Sequence, residues 1–169
     1  MKIEDLSVYD YMVRNESVKA VGWLEGEFEK GKIDSKVIEL LEKYPIKNRC
    51  RGWHSCEYCV NEEHASGNGE YWTVGKKGVY AAPSLIIHYI KEHNYLPPEE
   101  FIDSILNGIK PDNELYDKII NETETNRISS VNKLSHKEIM NKFINDNAKE
   151  IAKDIDAKII SDILNDKTW

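Results

Sequence analysis

Two cysteines separated by two residues, Cys56 and Cys59, and two histidines separated by four, His88 and His93, tie together parts of the chain that local propensity would leave independent. A two-residue gap lets both thiolates of a tight loop point at one centre. The histidine pair falls in the H-x₃₋₅-H range that a helix ending at its second histidine offers to zinc. The 28 residues between the halves, 60–87, exceed the insert of a short finger, so the fold need not be one. The expectation is a structural Zn²⁺ on Cys56, Cys59, His88 and His93. Such an ion contributes on the order of 10–16 kcal/mol in finger-like peptides, comparable with the whole net stability of a domain.

Nearby residues offer competing assignments. His54 precedes the cysteine pair and is a rival ligand for either distal histidine. A His54, Cys56, Cys59 set with an open coordination position would support hydrolysis, with Glu62 or Glu63 handling the proton. The deaminase pattern, H-x-E followed by P-C-x-x-C, is absent, and a structural ion is preferred to a catalytic one. Redox use is disfavoured because the Asn61-Glu62-Glu63 segment brings two carboxylates whose negative charge opposes thiolate formation. Three cysteines bunched at 50, 56 and 59 do not make a disulfide framework, and Cys50 is the odd one out. His64 and His136 read as exposed side chains.

The remaining pattern predicts an α+β fold: a small zinc-stabilised domain with a short antiparallel hairpin or sheet and helices, plus a long C-terminal amphipathic helix. Residues 17–24 read as a strand. Asp34 or Ser35 caps a helix carrying Val37, Leu40, Leu41 and Tyr44 and stopped by Pro45. Residues 70–74 and 79–81 flank Gly75-Lys76-Lys77-Gly78, a hairpin signal. Pro83 suits the first turn of a helix with Leu85, Ile86, Tyr89 and Ile90, ending near Asn94. Pro98 opens another with Phe101, Ile102 and Ile105, closed by Asn107-Gly108. Trp23, Trp53 and Trp72 are expected in or near the core.

The division expected is a zinc-containing domain over 1–120, a polar linker over 121–134, and an amphipathic helix over 135–167. Ser135 and Glu138 form the capping box of that helix, and Ile144, Ala148, Ile151, Ile155, Ile159 and Ile163 share one face. The face packs either on the chain's own core or on a second copy.

A formal net charge of -7 argues against a protein coated with nucleic acid or anionic lipid. Lys43, Lys47, Arg49 and Arg51 beside Trp53 are nevertheless the minimum for local nucleic-acid binding. Glu4 and Asp5 stand where a signal peptide needs positive charge, and no apolar stretch approaches membrane-spanning length. A cytoplasmic location with no membrane partner is the resulting expectation. The functional expectation is a non-enzymatic interaction module that binds a protein.

RGWHSCEYC, GNGEYWTV and VYAAPSLIIHYIKEHNYLPPEEF together resemble an uncharacterised family of small bacterial proteins. Its pattern is G-x-H-x-C-x-x-C, a short hairpin, then Y-x-A-P-x-L-I-x-H-Y-I-x-x-H-x-Y-x-P-P-x-x-F. DLSVYDY and AVGWLEG extend the resemblance to roughly residues 3–105. It implies His54, Cys56, Cys59, His88 and His93 as recurrent polar positions and supplies no activity.

Overall fold

A computed structural model describes residues 3–11, 14–60 and 64–126. The chain runs through β1 (Val8–Tyr9), β2 (Asn15–Ala20), α1 (Ser35–Leu41), β3 (Ile46–Lys47), β4 (His54–Ser55), β5 (Ser66–Gly67), β6 (Glu70–Gly75), β7 (Gly78–Pro83), α2 (Ile86–His93), α3 (Glu99–Asn107) and α4 (Glu114–Asn126).

The hairpin organises the fold. β6 and β7 pair antiparallel from Glu70 opposite Pro83 to Gly75 opposite Gly78, leaving Lys76-Lys77 as a two-residue turn. Gly78 takes φ 143, a value that side chains disfavour and a tight turn here requires. The two strands lie inside a five-stranded sheet of order β1-β2-β7-β6-β3, so both are buried almost throughout. The expected hairpin is present, but the sheet is mixed rather than antiparallel. β2 runs parallel to β7, with Val18 opposite Val79 and Ala20 opposite Ala81.

Alternation along β6 sorts its side chains onto two faces. Thr73 meets Ser104 of α3 at 2.7 Å, and Tyr80, opposite Thr73, packs edge-on against Phe101. On the other face Glu70 and Trp72 meet Tyr9 of β1. The helices follow local signals. Asp34 caps α1 by accepting from the Lys36 amide, and Glu99 and Glu100 open α3 after Pro98.

Four expectations need correction. Pro83 does not start a helix. It is the last residue of β7, a strand-end position where a residue without an N–H is tolerated, and α2 begins at Ile86. The strand expected over 17–24 stops at Ala20, and Gly22 at φ 80 turns the chain away. Residues 121–126, read as the start of a linker, continue α4, because Ile119, Ile120 and Thr123 are buried and Asn15 donates to the Thr123 carbonyl. Trp72 and Trp23 are buried, whereas Trp53 is 66% exposed. The rest of that linker and the helix over 135–167 lie outside the described residues. Among those described, no helix is long and apolar enough to cross a membrane.

Candidate metal centre

The thiol loop grows from a separate two-stranded ribbon in which β4 pairs with β5, His54 opposite Gly67 and Ser55 opposite Ser66. Strands this short hold little by themselves. The loop is closed at its base by the Cys56 amide, which donates to the Ala65 carbonyl at 2.8 Å, and by the His64 ring, whose Nδ1 lies 2.9 Å from the Cys56 carbonyl. Tyr58, between the two cysteines, anchors the loop inward. Its ring meets Phe28 at 4.9 Å, Tyr89 at 6.0 Å and His93 at 5.7 Å between centroids.

The imidazoles come from α2. Residues five apart are about 140° apart around a helix, so His88 and His93 cannot share one stripe. The end of the helix lets them converge. His93 is its last residue, and Asn94 follows in the left-handed conformation at φ 55, ψ 30, its N–H donating to the Tyr89 carbonyl.

These two elements bring four donor atoms together, all within 4.8 Å of one another. Cys56 Sγ lies 3.2 Å from His93 Nε2, and Cys59 Sγ lies 3.2 Å from His88 Nε2 and 3.7 Å from His93 Nε2. The two Nε2 atoms are 3.1 Å apart. Cys56 is buried and the other three residues are half-buried. Burial pushes the Cys56 thiol up, and the adjacent Cys59 reinforces this against the lowering by the Tyr58 and Cys59 amides. His88 is held below its ordinary value by burial and by His93 beside it. A neutral imidazole is already the ligand form, and a cation at the centre would draw protons from the thiols. The cluster can hold one metal ion.

The other residues singled out from the sequence lie elsewhere. His54 is exposed on the ribbon and is not among the converging donors. Cys50 also lies outside the cluster, near the Asn48 carbonyl at 3.5 Å. Glu62 and Glu63 fall outside the described residues. Lys43, Arg49 and Arg51 are exposed and Lys47 is half-buried in β3, with Arg49 donating to Asn68 Oδ1 at 3.2 Å. Two supporting contacts were missed: the inward ring of Tyr58 and the tether from His64 to the Cys56 carbonyl. Neither leaves a spacing signal, since both depend on how the loop closes.

A family model described as a domain of unknown function, DUF7919, matches residues 1–106, well over half of the chain. No curated protein and no solved structure matches.

Proposed function

This chain belongs to the DUF7919 family, and on that footing we propose that it is a non-enzymatic interaction module built around one structural Zn²⁺, with a protein as its partner. The observation that carries this reading is the spacing of the four donors. A tetrahedral zinc with bonds of about 2.3 Å to sulfur and 2.0–2.1 Å to nitrogen holds its donors about 3.3–3.8 Å apart. Four of the six separations, 3.1, 3.2, 3.2 and 3.7 Å, lie close to that range, and all six are within 4.8 Å. Two thiols with two imidazoles are also the softer donor set that suits zinc better than calcium or magnesium.

Four protein ligands fill a tetrahedral shell and leave no position for an activated water, which favours a structural ion over a hydrolytic one. The protein partner is supported by the surface around the thiol loop. Trp53 is 66% exposed just before the ribbon, and Val60 is 99% exposed just after Cys59. Fixing the loop with an ion would hold these apolar side chains ready for contact at low entropic cost.

The test is the metal content of protein purified without added metal. One zinc per chain is expected, lost together with thermal stability in Cys56→Ser and in His88→Ala. Full zinc retention with normal melting in either variant would remove that residue from the site. For the partner, Trp53→Ala is expected to keep its zinc and to lose binding; equal binding by that variant would reject the surface.

A further inference from the structure

A cavity of about 180 Å³ lies beside the metal ribbon, where the ends of the parallel pair β2 and β7 open. One wall comes from the residues after β2, including Gly22 and Trp23, and another from Pro83, Leu85 and Tyr89. The ribbon contributes His54 and Gly67, and Glu70 begins β6 at the far end from the hairpin turn. None of the four metal donors lines it.

Glu70 sets the chemistry of this cavity. It is 2% exposed, and its carboxylate accepts from Tyr9 Oη at 2.7 Å, Asn48 Nδ2 at 2.9 Å and Trp72 Nε1 at 2.7 Å. All three donors are neutral. Lys47 stands opposite Glu70 in the strand register, yet no cationic side chain makes an ion pair with this carboxylate among the described residues. A buried carboxylate held by neutral donors is a costly element to build into a core.

Acceptor positions are left over in the same place. A carboxylate offers about four, and here Oε2 receives two donors while Oε1 receives one. Asn48 turns its amide nitrogen toward Glu70, and its Oδ1 receives no donor among the described residues. The polar side of the cavity therefore offers acceptors, and the rest of its lining includes Trp23, Tyr11 and Tyr89. An engineered apolar cavity of about 150 Å³ is large enough for benzene. This one has room for a single ring with a short polar arm.

We propose that this cavity binds a small organic ammonium ion, a primary or secondary amine carried on one ring or a comparable hydrocarbon body. The N–H groups reach Glu70 Oε1 and Asn48 Oδ1, and the body lies against the aromatic wall, where a cation gains from the ring faces. The site is separate from the metal cluster, and the ribbon supplies only part of its lining.

The experiment uses the full chain, ¹⁵N-labelled and purified with its metal, titrated with benzylamine and separately with benzyl alcohol, its neutral counterpart. Saturable shifts of the Gly67 and Gly69 amides are expected with benzylamine, and binding of benzyl alcohol about ten-fold or more weaker. Glu70→Gln is expected to erase the difference between the two probes. That variant can keep the Asn48 and Trp72 bonds through its amide oxygen while its nitrogen faces the Tyr9 hydroxyl, but it alters a buried network and can lower stability, so Gly52→Trp supplies the second arm. Gly52 lines the cavity, and a Cβ there meets nothing within 4 Å, so the indole should block the cavity without disturbing the packing. Absence of saturable shifts, equal binding of both probes, or undiminished binding in folded Gly52→Trp would each overturn the assignment.

Discussion

The phenol of Tyr58 is carried into the aromatic layer behind the four donors, and its buried hydroxyl has no hydrogen-bond partner among the described residues. Desolvating a hydroxyl without a partner is unfavourable by about 1–3 kcal/mol, so removing it should help. Tyr58→Phe is expected to keep the metal and to match or exceed the wild-type stability by up to about 1 kcal/mol in urea unfolding. A loss of stability would count against the hydroxyl being unsatisfied. The four donors were legible because both of their spacings are local, and each spacing alone limits what the chain can do with its ligands. The choice against His54 was not legible. That residue is close to the cysteines in sequence, and only the pairing of the ribbon determines that its ring stays outside the cluster. Trp53 misled for a related reason: large apolar residues favour the interior, but apolar surface is also common outside.

Helix α3 is tied to the sheet through its first turn. Glu100 accepts from Lys19 of β2 at 2.8 Å, from Tyr80 of β7 at 3.2 Å and from Lys77 in the hairpin turn at 3.4 Å. Burial pushes its carboxyl up, but the two lysines and the tyrosine together outweigh this and hold it below the usual carboxylate range. The stability it supplies is thus fully present above the unfolded value, about 4.3, and is lost as pH falls through the lower folded value. Glu100→Gln should be less stable than wild type at neutral pH by up to about 1 kcal/mol, with the gap closing on acidification; a constant gap in pH-dependent unfolding would reject this account. Legibility differed among elements in the same way as among residues. α1, α3 and the β6–β7 hairpin carry caps, prolines, glycines and local periodicity, and all were readable. β1 has only two residues, too few for a period, and the end of α4 is polar because one narrow face alone is buried. The β2–β7 pairing joins residues 18 and 79, and no local pattern announces such a distant partner.

The described structure holds together in two different ways. The sheet and its helices share a continuous core in which Tyr9, Trp72, Tyr80, Phe101 and Tyr116 are fully buried. The ribbon of β4 and β5 has only two-residue strands, and in the proposed zinc reading its hold on the end of α2 runs through Cys56, Cys59, His88 and His93. Removing the proposed ion with a chelator is therefore expected to lower the melting temperature, with amide exchange accelerating first at Cys56 and around β4 and β5. Amides of the β6–β7 hairpin should keep their protection longest. Uniform loss of protection would mean that the ion and the core form a single cooperative unit. The parallel pair also fixes an order of events. The hairpin closes over two residues, whereas β2 must find β7 across most of the intervening chain, and that search carries a larger loop-closure entropy. Assembly should begin at the turn, with β2 arriving after the rate-limiting barrier. Val18→Ala, fully inside this late seam, is then expected to quicken unfolding and leave the refolding limb of a chevron nearly unmoved.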